Sequence, residues 1–286
     1  MSNTGTYELV RLAGGVCSIR SVDEDEVFHP VVGPVAEAEA LYVRQVRLAD
    51  RLAAGTDPFV VWDVGLGAAA NALTVIRAAR DFSRPLRIFS FDRTLAPLRF
   101  ALENAESLGY LEGYQSVLAS LLEQGSRRFQ SGSIEVSWSI ALGDFPTWLA
   151  TAETVLTVEP PHLILYDAFS PAKNPGMWTL PVFRSLFARL SAQRPCLMPT
   201  YSRSTLLRVT LLLAGFYVGA GHATGEKEET TIAANSLAEL ADPLRPEWLG
   251  RVRRSRSAEP MIEAHYSQGA LSEENWQLLR QHPQFR

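Results

Sequence analysis

Cysteine is almost missing from this 286-residue chain: Cys17 and Cys196 are too few and too far apart for a disulfide framework or a thiolate metal site, and a reducing compartment fits. The five histidines, at 29, 162, 222, 265 and 282, are scattered without metal-ligand spacing, so no metal is expected. Long apolar runs are lacking too. The longest candidate, Val209 to Phe216, is a fraction of the ~20 residues needed to cross a bilayer, which excludes a membrane-spanning helix from the reading. The opening Met1-Ser2-Asn3-Thr4 has no cationic segment leading into an apolar stretch, so neither a secretory signal nor a transit peptide is expected, and the location expected is cytoplasmic. Positive charge is also in short supply. A formal net charge of −4 argues against nucleic-acid binding by bulk electrostatics and leaves room only for a local basic patch. There is no internal repeat and no low-complexity tract.

What is present is ordinary globular composition, 47% apolar and 20% charged, in a chain long enough to bury a substantial core. Residues 7 to 20 alternate about Gly14-Gly15 and predict a β-hairpin, followed by the acidic run Asp23 to Glu26 as a solvated loop. A helix is predicted from Val35 to Ala54, stopped by Gly55. Phe59-Val60-Val61-Trp62 is a continuous apolar run of the kind buried on both faces of a parallel sheet. Helices over 68–80, 95–108, 117–129, 146–154, 181–190 and 206–214 then alternate with strands over 88–91, 134–140, 163–166 and 196–198, and terminal strands follow near 216–218 and 230–233. Thr94 is the expected N-cap of the second of these helices, with Pro97 in its first turn. The alternation means an α/β fold with a doubly wound sheet. Three parts are expected: a hairpin appendage over 1–34, a Rossmann-like domain over 35–240, and a C-terminal extension over 241–286 with a short helix from Ser272 to Arg280.

Four places can carry chemistry. Val61-Trp62-Asp63-Val64-Gly65-Leu66-Gly67-Ala68-Ala69-Ala70-Asn71 runs from a strand through a small-residue turn into a helix. Gly65 and Gly67 let backbone approach a ligand, and the helix start offers free N–H groups, although Ala70 stands where a third glycine would complete a dinucleotide fingerprint. Asp92 ends the next strand, either as the acid that grips the ribose of an adenosine cofactor or as a surface carboxylate. Asp144, after Gly143, precedes a predicted helix that it could cap. Leu163-Ile164-Leu165-Tyr166-Asp167 opens into the loop Ala168-Phe169-Ser170-Pro171-Ala172-Lys173-Asn174-Pro175-Gly176-Met177-Trp178, at the carboxyl edge where open α/β sheets bind ligands.

The run Asp167 to Trp178 closely resembles the Asp-Gly-Phe-Ala-Pro-Ala-Lys-Asn-Pro-x-Met-Trp signature of the methyltransferase part of MnmC-type tRNA wobble-uridine modification enzymes. Phe28-His29 with Gly33 and Glu37 resembles that family's entry segment, Gly65-Leu66-Gly67 and Asn71 its cofactor loop, and Gly215-Phe216 with Gly225, Lys227 and Glu228 its closing strands. The resemblance covers residues 5 to 236. It departs in the cofactor turn, where Ala68, Ala69 and Ala70 replace the family's Thr, Gly and Leu. These 286 residues also hold no second half of oxidoreductase size, so the flavin-dependent step of the fused enzymes is not expected of them.

The resemblance implies a class I fold that binds S-adenosyl-L-methionine and methylates the exocyclic amine of a 5-aminomethyl uridine at the tRNA wobble position. By the same resemblance Asp63, Gly65, Gly67, Asn71, Asp92, Gly143 and Asp144 hold the cofactor, with a carboxylate near Asp144 meeting the adenine amino group. Asp167 becomes the general base at the reacting amine, and Phe169, Lys173, Asn174 and Trp178 the substrate contacts. Phe169 and Trp178 could support an extruded base or anchor the loop to the core. Arg245, Arg251, Arg253, Arg254 and Arg256 are the candidate tRNA contact or a solvated tail, and His29 either approaches the crevice or is a structural histidine. Two other readings stay open: a methyltransferase or aminopropyltransferase-like enzyme for a small amine, and a catalytically silent RNA- or partner-binding module. The oligomeric state is not legible.

Overall fold

The computed structural model describes residues 5–151, 158–223 and 228–286. Its strands are β1 (Tyr7–Arg11), β2 (Cys17–Ser21), β3 (Glu26–Val27), β4 (Phe59–Val64), β5 (Leu86–Asp92), β6 (Ser126–Ser131), β7 (Ile134–Leu142), β8 (Leu163–Tyr166), β9 (Leu197–Thr200), β10 (Tyr217–Gly221) and β11 (Thr230–Ala234). The chain divides into two compact units, one of residues 1–145, 163–167 and 223–228, the other of residues 146–162, 168–222 and 229–286.

In the first unit β1, β2 and β3 form a small antiparallel sheet. The larger sheet runs β8-β4-β5-β7-β6, parallel throughout except for the edge strand β6. All six residues of β4 are buried, as are the four of β8, because a central parallel strand is covered on both faces. Trp62, Trp138 and Tyr166 are among the largest side chains buried here. The helix Ala70–Ala79 follows β4 and is buried along nearly its whole length.

In the second unit β11 lies between β10 and β9, antiparallel to both. Thr179 caps the helix Leu180–Phe187, its hydroxyl accepting from the Val182 N–H at 3.4 Å. Residues after 240 belong to this unit: Gln284 donates to the carbonyls of Val218 (2.7 Å) and Leu244 (2.8 Å) and accepts from the Val218 N–H (2.8 Å). Ser272 caps the terminal helix Glu273–Arg280, whose acidic first turn and cationic last turn suit the helix dipole.

Several elements differ from the sequence reading, each for a local reason. The helix expected over 35–54 is broken into Pro34–Ala38, a wider turn over Glu39–Arg44, and Leu48–Ala53, with Arg47 left-handed at φ 51°. The helix expected to reach Phe129 stops at Gln124, because Gly125 turns left-handed at φ 72° and the chain enters β6. Its Phe129 pairs with Val136 instead. Thr94, the expected N-cap, stands one residue too early: the helix Ala96–Glu103 has Leu95 at its N-cap, the Thr94 hydroxyl accepts the Ala96 N–H at 3.2 Å from the preceding turn, and the helix is interrupted at Asn104. Arg245 to Arg256 contains a helix, Trp248–Arg254. The acidic run is no mere loop: Glu26 lies in β3, and Asp25 pairs with Arg20. Residues 152–154 of the expected helix, and Gly225 and Lys227 of the resemblance, lie outside the described residues.

Candidate active site

The first unit gathers its polar side chains at the carboxyl ends of β4, β5 and β8. After Val64 the chain passes Gly65 at φ 94°, Gly67 at φ 50° and Ala69 at φ 64° before the helix starts at Ala70. The turn is pinned to β5 by the Gly65 N–H, which donates to the Phe91 carbonyl at 2.9 Å. Ala69 keeps a left-handed conformation at the position where the resembling signature has glycine, so the turn survives the substitution at a cost in strain. The ring of Phe28 closes over it: a Cβ on Gly67 would lie 3.3 Å from that ring.

Asp92 is fixed against the turn. One of its oxygens accepts the Gly67 N–H at 2.9 Å and the other the Thr94 N–H at 3.2 Å. Burial nevertheless raises its carboxyl above the ordinary value, and these hydrogen bonds oppose the rise. Gly143 is tied to the same strand end by donating to the Asp92 carbonyl at 2.8 Å, and Asp144 beside it is exposed, directly before the helix Phe145–Ala150. Tyr7, on β1, packs against Phe28 and Phe100, and its hydroxyl is pushed up to about 12 by burial and the Asp92 charge.

Asp63 is buried beneath the turn. Trp138 Nε1 donates to Ser90 Oγ at 2.9 Å, and Ser90 Oγ donates to Asp63 Oδ2 at 2.6 Å. Burial pushes its carboxyl up to about 7; the Ser90 bond opposes this, while the charges of Asp167 and Asp92 add to it. Asp63 Oδ1 and Asn71 Oδ1 are buried without a hydrogen-bond partner among the described residues. Two orphaned acceptors flanking a glycine turn fit a ligand that carries an ammonium group, and S-adenosyl-L-methionine carries one.

Asp167 begins where β8 ends, its N–H donating to the Val64 carbonyl at 3.0 Å. Its Oδ2 accepts from Asn71 Nδ2 at 2.7 Å and lies 3.5 Å from His29 Nε2. The other ring nitrogen of His29 is 3.1 Å from Glu37 Oε2, so an imidazole stands between two carboxylates. Burial disfavours its charge, yet the Asp167 charge and the Glu37 hydrogen bond together raise its pKa above the ordinary value.

Asp63, Gly65, Gly67, Asn71, Asp92, Gly143, Asp144 and Asp167 thus lie in one unit, where hydrogen bonds join Gly67 and Gly143 to Asp92 and Asn71 to Asp167. Phe169, Lys173, Asn174 and Trp178 lie in the other unit. Trp178 is 1% exposed and its indole N–H donates to the Phe169 carbonyl at 2.7 Å, an arrangement that suits the anchor of the two roles the sequence left open. Phe169 is half-buried and Lys173 exposed, and the backbone N–H groups of Lys173 and Asn174 both turn back onto the Ser170 carbonyl. In the arginine tract Arg251 lies 3.6 Å from Glu229, and Arg253 pairs with Glu273 at 3.0 Å above the Trp276 ring. Among the described residues there is no His, Cys, Asp and Glu cluster arranged for a metal, and no helix is long and apolar enough to cross a membrane.

Sequence reasoning missed Tyr7, Ser90 and the histidine bridge. His29 and Glu37 are eight positions apart, and the chain between them carries positive φ at His29 (51°) and at Gly33 (89°).

Residues 112–236 match a family described as S-adenosyl-L-methionine-dependent methyltransferase. The crystal structure of MnmC2 from Aquifex aeolicus shares the fold at a TM-score of 0.70 and 22% identity, covering 97% of this chain and 83% of that one. The fold is Rossmann-like, and the match over residues 112–236 likens the chain to the class I S-adenosyl-L-methionine-dependent methyltransferases. Within that likeness the chain is similar to part of the MnmC proteins. The tRNA 5-methylaminomethyl-2-thiouridine biosynthesis bifunctional protein MnmC of Methylibium petroleiphilum is 28% identical over 262 residues, 88% of this chain and 39% of that protein. Its namesake from Cupriavidus metallidurans is 29% identical over 218 residues, 73% of this chain and 31% of that protein. The chain therefore spans between 31% and 39% of the length of these two curated relatives.

Proposed function

We propose that this protein methylates the exocyclic amine of a 5-aminomethyl uridine, with or without 2-thiolation, at the wobble position of tRNA. The observation that carries the reading is the Asp167 carboxylate, fixed by Asn71 beside the orphaned acceptors of the glycine turn, where an amine and a methyl donor can be held together. The names of the MnmC relatives supply the substrate class.

Bound S-adenosyl-L-methionine supplies an electrophilic methyl group on positively charged sulfur. The chain's task is to hold a neutral amine in line with it, since well-oriented attack needs little covalent help. Asp167 accepts a hydrogen bond from the amine and takes its proton. Asn71 keeps the carboxylate in place; Asp92 would hold the donor's ribose with Tyr7 nearby, and Asp63 and Asn71 would offer acceptors to its ammonium group. Phe169, Lys173 and Asn174 are the proposed contacts to the uridine and its phosphates, and the exposed arginines of 245–256 the proposed contacts to the tRNA backbone.

The test is methyl transfer from labelled cofactor to tRNA that carries 5-aminomethyl groups, run beside putrescine and other small amines. Label in the tRNA alone supports the proposal. Label in the small amines alone transfers the assignment to a metabolite acceptor.

A further inference from the structure

We propose that His29, held by Glu37, receives the proton that Asp167 takes from the substrate amine. The inference rests on the reading above and deepens it.

The chemistry sets the need. An alkylammonium is a far weaker acid than a protonated carboxyl, so leaving the proton on a carboxylate alone is unfavourable. An imidazole is the stronger base of the two, and passing the proton on to it recovers part of that cost. His29 is the base within reach: its Nε2 is 3.5 Å from Asp167 Oδ2, and its Nδ1 faces Glu37 Oε2 at 3.1 Å. Neutral His29 donates its Nδ1 proton to Glu37 and turns the Nε2 lone pair toward Asp167. That separation is longer than a formed hydrogen bond and closes once Asp167 carries a proton to donate.

The step balances. The ammonium loses a proton to Asp167, its nitrogen lone pair forms the bond to the methyl carbon, and the C–S electron pair stays on sulfur. The proton moves from Asp167 to His29 Nε2, leaving carboxylate facing imidazolium, and then passes to solvent. The product leaves as a secondary ammonium. The charged groups acting on His29 are Asp167, after β8, and Glu37, in the helix Pro34–Ala38; the buried Asp63 acts on the same cluster through Asp167. Both carboxylates make His29 a stronger base than free imidazole.

The experiment pairs single-turnover rates against pH with NMR titration of the His29 ring in the protein without cofactor. Wild type should show an acidic limb that follows His29. Glu37→Gln should move that limb to lower pH by roughly one unit, with the same displacement in the NMR titration. A limb set by the substrate amine, or a merely structural role, would not move. His29→Asn, which tolerates the left-handed backbone, should abolish the limb and slow transfer by about 100-fold, with cofactor affinity unchanged. A limb that stays in place in Glu37→Gln, or wild-type rates in His29→Asn, overturns the relay. If wild type does not methylate the tRNA, the substrate reading fails by itself; the NMR titration then decides the pairing, and a His29 pKa unmoved by Glu37→Gln overturns it.

Discussion

Asn71 and Asp167, 96 positions apart, meet at 2.7 Å, so the first turn of the helix after the glycine loop holds the residue that follows β8. The contact joins the part of the site that would carry the cofactor to the part that would carry the acceptor. It also separates roles: Asp92 is bonded to the loop backbone, while Asp167 is bonded to side chains.

Asp92→Ala removes the acceptor for two backbone N–H groups, at Gly67 and Thr94. Each unsatisfied donor costs about 1–3 kcal/mol, and the ribose partner is lost as well. Calorimetry should show cofactor affinity falling at least 10-fold, and unchanged affinity would refute the ribose assignment.

Asp63 gives a pH signature. Its folded-state carboxyl, pushed up to about 7, lies above its ordinary value of 3.8, so between those values the unfolded chain has released a proton that the native state keeps. Stability therefore falls as pH rises from about 4 to about 7, by up to about 1.4 kcal/mol for each unit separating the two pKa values. Asp63→Asn stays neutral and lacks this loss. In thermal melts its Tm relative to wild type should climb between pH 5 and pH 8; a constant difference would mean that Asp63 ionises normally.

Ala69 holds φ 64° without glycine's freedom. Relieving the left-handed strain, offset by the greater chain entropy of glycine, should make Ala69→Gly more stable by about 0.5–1 kcal/mol. That corresponds to a rise in Tm of roughly 1–2 °C. A lower Tm would show that the turn is relaxed as it stands.

Trp178→Phe removes the donor to the Phe169 carbonyl while keeping an aromatic ring against Phe183. A loss of about 1–2 kcal/mol in chemical denaturation is expected for an anchor. Unchanged stability with weaker tRNA binding would return Trp178 to the substrate face.

Much of this was legible in the residues. The buried runs at Phe59 and Leu163 read as parallel strands covered on both faces, and the acids at or just beyond their carboxyl ends, Asp63 and Asp167, mark the site. The Asp167-to-Trp178 signature added the reaction. What stayed hidden depended on chain reversals. Gly125 ends a helix that the sequence reading carries on to Phe129, the one apolar residue of β6, where it pairs with Val136. The left-handed residues Arg47 and His29 have side chains that give no warning of such backbone. Hence the sequence alone predicts one unbroken helix over 35–54 and does not show the Glu37–His29–Asp167 bridge. Trp178 shows the opposite limit: its type suits stacking, but its burial is set by a carbonyl nine residues away.

The most direct measurement incubates tRNA bearing 5-aminomethyl uridine with cofactor carrying a deuterated methyl group, with wild type and with Asp167→Ala, and reads the nucleosides by mass spectrometry. The expected result is a deuterated methylaminomethyl uridine with wild type. The variant should give a rate lower by at least 100-fold while its calorimetric cofactor affinity is retained. Equal product from both proteins, or label on another nucleoside, would contradict an Asp167-centred methyl transfer to the wobble amine.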